Sequence, residues 1–168
     1  SLANRGSIVI GVLALQGAFA AHQTSLHSLG VSTVRVREPS DLVDLDGIVL
    51  PGGESTTMSN LLGSAHLDTA LDRALKEGLP ALGTCAGLIL LADRILDGRD
   101  DQICFHAIDL VVRRNGYGRQ VDSFEADITI QDRDTPFHAV FIRAPIIESV
   151  GPEVQVLARH DDVPCLVR

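Results

Sequence analysis

No Cys-x-x-Cys pair, no Cys/His cluster and no run of Lys or Arg occurs in these 168 residues. The first two absences exclude the usual spacings of structural zinc and of dithiol redox centres. The third, with 14 Lys and Arg against 22 Asp and Glu and a formal net charge of −8, argues against nucleic acid as a partner, because phosphate-backbone binding rests on basic side chains. Three cysteines, Cys85, Cys104 and Cys165, are an odd number that suits a reducing cytoplasm better than a disulfide framework. Charge is missing from Gly6 to Val34, yet Gln16, His22, Gln23, Thr24, Ser25, His27 and Ser28 lie in that stretch and would all need partners in lipid, so no transmembrane helix is expected. Arg5, the apolar Ile8 to Leu15 and Ala18-Phe19-Ala20 imitate a signal peptide. Gly11 and Gln16 interrupt that imitation.

What is present is the balance of one ordinary folded domain, with 45% hydrophobic and 21% charged residues. A chain of this length buries enough surface to need no metal or disulfide staple. Ile8 to Leu15 is a continuous aliphatic run, the pattern of a strand covered on both faces of a parallel sheet. Ala18, Ala21, Ser25, Leu26 and Leu29 then recur at helical spacing, with Gly30 as a stop. Val31 to Val36 and Leu45 to Leu50 read as the second and third strands. Ser55 or Thr56 caps a helix through Leu62, and Leu67, Leu71 and Leu75 mark another that Gly78 ends. Pro80 to Gly83 is a fourth strand, leading through Thr84-Cys85 into an apolar helix from Leu88 to Leu96. This β-α-β alternation predicts a parallel sheet flanked by helices.

The second half reads differently. Ala107 to Val112, Gln120 to Ile130, Ala139 to Ile142, Val154 to Ala158 and Pro164 to Val167 are strand-like, with Asn115-Gly116-Tyr117-Gly118 as a turn. No comparable helical period follows Asp97. Without an internal repeat or linker, the chain reads as a single domain over 1–168.

The sharpest chemical signal is Gly83-Thr84-Cys85-Ala86-Gly87 between a strand and a helix. Glycines on both sides permit a tight, strained turn that pushes the thiol out at the carboxyl edge of the sheet. The first amides of the following helix then favour thiolate and can hold an oxyanion. A small buried hydrophobe is the ordinary fate of a lone cysteine, and this setting favours a nucleophile instead. Pro51-Gly52-Gly53-Glu54-Ser55 ends another parallel strand and so should share that edge, where ligands bind. Its glycines let backbone amides approach a ligand, although Glu54 is equally suited to the next helix's N-terminus. Arg113, Arg114 and Arg143 stand at strand ends, where solvation is the usual fate of a guanidinium. The six histidines have no spacing that identifies a base.

These residues resemble the glutaminase subunits of pyridoxal 5′-phosphate synthase, the PdxT/SNO family of class I (triad) glutamine amidotransferases. The matching segments are Gly11 to Gly17, Leu50 to Met58, Gly83 to Ala92, Arg119 to Glu125 and Phe141 to Pro145, in family order over nearly the whole chain. The resemblance implies a three-layer, flavodoxin-like α/β fold with a central, mostly parallel sheet and a strand-rich second half. It implies that Cys85 attacks the side-chain amide of glutamine, releases ammonia and leaves a glutamyl thioester for water to hydrolyse. The amides of Gly53 and Ala86 would form the oxyanion hole, and Gly53, Glu54, Ser55, Arg114, Ile142 and Arg143 would hold the substrate. Gln16 would meet the synthase subunit, which takes the ammonia to make pyridoxal phosphate. No cofactor and no metal are implied. The family's catalytic His and Glu stand in a His-Pro-Glu motif beyond the strand that Pro164 to Val167 begins to resemble, and the sequence reaches only Arg168. The expectation is either a shortened form of a longer protein or a chain that is inactive as it stands. Two other readings stay open: a Cys-elbow esterase of α/β-hydrolase type, and a non-catalytic regulatory subunit of the same fold.

Overall fold

The computed structural model describes residues 6–114, 124–141 and 144–168. They gather into two compact units, Ser1–Leu91 with Arg99–Ala107, and Ala92–Gly98 with Ile108–Arg168.

The first unit is built on four parallel strands, β1 (Val9–Leu13), β2 (Ser32–Val36), β3 (Gly47–Leu50) and β4 (Ala81–Gly83), in the order β2-β1-β3-β4. Register runs Gly11↔Val34 and Gly11↔Ile48, then Leu50↔Gly83. The apolar runs account for this: Val12 and Leu13 of β1 and all four residues of β3 are buried, as a strand covered on both faces must be. Helices α1 (Phe19–Ser28), α2 (Ser55–Ser64), α3 (Leu67–Lys76) and α4 (Ala86–Leu91) complete the unit, with one 3-10 turn at Pro39–Leu42. The path from β1 to β2 steps one way across the sheet and from β3 to β4 the other. Right-handed crossovers therefore put α1 on one face and α2 and α3 on the opposite face. Met58, Leu62, Leu67, Leu71 and Leu90 are fully buried against the sheet or one another. Each such side chain contributes roughly 1.5–3 kcal/mol relative to exposure. The three layers agree with the fold class expected from the sequence.

The second unit holds β5 (Ala92–Ile95), β6 (Ile108–Arg113), β7 (Phe124–Ile128), β8 (Phe137–Phe141), β9 (Ile146–Val150), β10 (Val156–His160) and β11 (Val163–Val167). β5 pairs parallel with β6 and β9 antiparallel with β6, while β7-β8 and β10-β11 are antiparallel hairpins. Ile128, Ala139 and Ala158 form a small core with Ile130, Phe141, Cys165 and Leu166 packed on it. The strand-rich character is as expected, with three differences. The helix foreseen from Leu88 to Leu96 stops at Leu91, because Ala92 to Ile95 pair with β6 and tertiary pairing overrides a weak helical preference. Strand β9 lies where no strand was foreseen. The cap of α2 is neither Ser55 nor Thr56 but Glu54. The foreseen turn at 115–118 and the first residues of the strand from Gln120 lie outside the described residues.

Candidate active site

Three loops follow the carboxyl ends of β1, β3 and β4, and they meet. In an open α/β sheet this edge, where the strand order reverses between β1 and β3, is where a ligand-binding crevice forms.

Cys85 sits in the loop after β4 with φ +51°, a left-handed conformation costing a non-glycine residue roughly 1–2 kcal/mol. Such strain persists only where the surroundings over-determine it. Here Thr84 donates its N–H to the Leu50 carbonyl at 3.1 Å, Gly87 donates to the Thr84 carbonyl at 2.8 Å, and Ile89 donates to the Cys85 carbonyl at 3.2 Å. The flanking glycines are there for space: a Cβ on Gly87 would overlap the Leu50 carbonyl oxygen, and one on Gly83 would lie 2.6 Å from the Gly87 backbone. Strand, turn and helix are thus folded back too tightly for a side chain at either glycine. The thiol is half-buried.

The glycine loop after β3 lies alongside. A Cβ on Gly52 would stand 3.3 Å from the Cys85 Cβ, so the two loops touch, although 32 positions separate Gly53 from Cys85. The loop after β1 closes the third side. Gly17 packs so closely on the Gly52 carbonyl that only glycine fits, and Ala18 donates its N–H to the same oxygen at 3.4 Å. Gln16 Oε1 accepts the Glu54 N–H at 3.1 Å. The Glu54 carboxylate caps α2, accepting from Thr56 N at 3.1 Å, Thr57 N at 2.7 Å and Thr57 Oγ1 at 2.8 Å, a position where the helix dipole also favours a negative charge. Ser55 begins α2 and is 4% exposed. Ala86 opens α4 next to the thiol.

Residues 12–167 match the SNO glutamine amidotransferase family. The chain belongs to that family. It is 52% identical over 162 residues to the pyridoxal 5′-phosphate synthase subunit PdxT of Mycobacteroides abscessus, covering 96% of this chain and 84% of the relative. The PdxT subunit of Corynebacterium jeikeium is also 52% identical, over 92% of this chain and 80% of the relative. A crystal structure of a glutamine amidotransferase superposes with a TM-score of 0.87 at 42% identity, covering 95% of this chain and 84% of that one. These relationships do not favour the esterase or the regulatory reading.

Within this SNO amidotransferase, the sequence-named residues Gln16, Gly53, Glu54, Ser55, Cys85 and Ala86 all stand on the loops and helix starts of the first unit's carboxyl edge. Arg114 follows β6 in the second unit, its N–H bonded to Asp97 Oδ1 at 2.6 Å. Ile142 and Arg143 lie outside the described residues. Cys104 lies in the irregular run before β6 and Cys165 in β11, so Cys85 alone occupies a strand-to-helix turn. Burial pushes the Cys165 thiol up, away from thiolate.

Sequence reasoning passed over His22. Its Nε2 lies 3.4 Å from Thr84 Oγ1, and burial lowers its pKa, keeping the ring neutral near pH 7. The signal was available: His22 falls three positions after Phe19 and four before Leu26, on the half-buried stripe of α1. Among the described residues no hydrogen bond joins a histidine ring to the Cys85 sulfur. Among them, too, no group of three His, Cys, Asp or Glu is placed to hold a metal ion, and no helix is long and apolar enough to cross a membrane.

Proposed function

We propose that this chain is the glutaminase subunit of a pyridoxal 5′-phosphate synthase, working in the cytoplasm as one amidotransferase domain with a synthase subunit as its partner. The observation that carries the reading is Cys85 held in a left-handed turn at the carboxyl edge of the parallel sheet, in contact with the Gly52-Gly53 loop.

The Cys85 thiolate attacks the side-chain carbonyl carbon of glutamine, and the carbonyl π pair moves onto oxygen. The N–H groups of Gly53 and Ala86 hold that oxyanion, worth about 2.7–4 kcal/mol for a single well-aimed donor. Collapse breaks the C–N bond, the nitrogen takes a proton, and ammonia departs. Water then attacks the glutamyl thioester, giving glutamate and the free thiol. Glu54 and Ser55 border the substrate from the glycine loop; the resemblance also assigns substrate binding to Arg114, Ile142 and Arg143, a guanidinium being suited to the α-carboxylate. Both proton transfers need an acid–base group. The resemblance assigns them to a His-Pro-Glu motif, a tripeptide that does not occur among these 168 residues. Gln16, tied to the glycine loop through Glu54 N, borders the face offered to the synthase subunit, which takes the ammonia for pyridoxal phosphate synthesis.

The test is active-site labelling of the protein with its synthase partner, using a diazo-ketone analogue of glutamine, followed by peptide mass spectrometry. Label is expected on Cys85, and Cys85→Ser should lower glutamine-dependent ammonia release by about 10⁴-fold or more. Label on Cys104 or Cys165, or ammonia release surviving in Cys85→Ala, would overturn the assignment.

A further inference from the structure

Thr84 is fastened through both of its backbone polar groups, the N–H to Leu50 O and the carbonyl to Gly87 N. Its one remaining polar group, the hydroxyl, meets His22 Nε2 across 62 positions of sequence. We propose that His22 is a positioning residue for the nucleophile: reaching from α1, its ring fixes the Thr84 side chain and with it the left-handed turn that presents Cys85.

Three observations support this role. First, α1 contributes no fully buried residue, only the half-buried Phe19, His22, Gln23 and Leu26, so directional contacts share in setting its placement. Gln23 Nε2 donates to Thr33 Oγ1 at 3.1 Å, His27 Nε2 lies 2.9 Å from the same hydroxyl, and Arg35 Nε donates to Gln23 Oε1 at 3.0 Å. These fasten α1 to β2. Among the described residues, the side-chain hydrogen bond from α1 to the nucleophile turn is the one made by His22. Second, the ring is neutral by burial, so it serves as a hydrogen-bond partner and brings no charge beside the thiol; the Thr84 hydroxyl, donor and acceptor at once, complements either tautomer. Third, the turn it steadies is strained, and a strained conformation depends on every contact that holds it. His22 does not touch the sulfur, which separates this role from that of an acid or base.

The inference rests on Cys85 being the nucleophile, and its test keeps the two apart. In the protein with its synthase partner, one measures kcat and KM for glutamine and the rate at which iodoacetamide alkylates Cys85. Thr84→Val removes the hydroxyl at constant shape, and His22→Ala removes the ring. Each is expected to lower kcat and slow alkylation by about three- to tenfold, the worth of one hydrogen bond, with KM unchanged. The double variant should be no slower than either single one, and Thr84→Ser and His22→Gln should restore most of the rate. If His22→Ala does not fold, Thr84→Val against Thr84→Ser decides alone. Unchanged rates, additive losses, or a loss in Thr84→Ser as large as in Thr84→Val would overturn the positioning role. Wild-type alkylation falling on Cys104 or Cys165 would instead overturn the nucleophile.

Discussion

The two units solve the problem of burying strands in opposite ways. In the first, β3 is buried along its whole length and β1 is flanked on both sides, so the backbone at their ends is fixed by neighbours it cannot move. In the second, Leu110, Val112 and Ile147 are buried in the β6-β9 pair, while the β7-β8 hairpin leaves Phe137 51% and Val140 55% exposed and packs inward on a small cluster of Ile128, Ala139 and Ala158. The strained turn of Cys85 follows the more exposed β4 but is pinned to buried β3, through Thr84 N–H on the Leu50 carbonyl and Gly87 packed against it. A hairpin with one exposed face tolerates substitution on that face.

The sharpest attempt to break this contrast places one methyl group in each unit. Gly87→Ala drives a Cβ into the Leu50 carbonyl, backbone against backbone, whereas Gly151→Ala meets the Asp109 side chain, which can rotate. Gly87→Ala should therefore destabilise by about 3 kcal/mol or more and Gly151→Ala by about 1 kcal/mol, read from guanidinium unfolding midpoints. Equal losses would erase the distinction.

Side-chain truncation comes next. Leu71 of α3 is fully buried and Val140 of β8 is mostly exposed, so Leu71→Ala should cost about 2–5 kcal/mol and Val140→Ala no more than about 0.5 kcal/mol. A large loss at Val140 in thermal unfolding would show that the hairpin face is covered in solution.

The smallest effect is the most diagnostic. His22 in the first unit has its pKa lowered by burial, while His138 in the second has its pKa raised by hydrogen bonds to Asp127 and Glu125, at 2.9 and 3.1 Å. NMR titration should place His22 below the ordinary value near 6.5 and His138 above it. The signs for stability are opposite. The unfolded chain binds the extra proton at His22, so that contribution is present above pH 6.5 and fades as pH falls toward the folded pKa. The folded chain holds the extra proton at His138, so that contribution is full below 6.5 and is lost as pH rises through the folded pKa. His138→Gln should remove the second trend and leave the first.

Much of the first unit could be read directly from residues. Continuous apolar runs gave β1 and β3 and an alternating one gave β2, and Gly30 and Gly78 take the left-handed conformations, φ +75° and +98°, that helix stops require. The glycine pair around Cys85 was legible because its spacing is local, although the Leu50 carbonyl that leaves Gly87 no room for a side chain belongs to another strand. The segment from Ala92 to Ile95 was not, since its strand character exists only through β6, and its own residues fit a helix equally well. The cap of α2 was missed for a related reason, two hydroxyl residues beside Glu54 being nominally better caps than a longer carboxylate. His22 and Thr84 were invisible as a pair, because only the β2-β1-β3-β4 order brings them together.

The segment Arg99–Ala107 returns to the first unit after the chain has left it. Ile103 donates its N–H to Ser59 Oγ at 2.6 Å, Gln102 Nε2 donates to the same oxygen at 3.0 Å, and Phe105, 4% exposed, donates to the Leu90 carbonyl at 2.7 Å. During synthesis, then, Cys85 and all four parallel strands leave the ribosome before the residues that satisfy Ser59 and the end of α4. Until Ala107 has emerged, α2 carries a buried hydroxyl without its partners and α4 a bare carbonyl end. The parallel-sheet unit closes its own packing only after the chain has already begun its second unit.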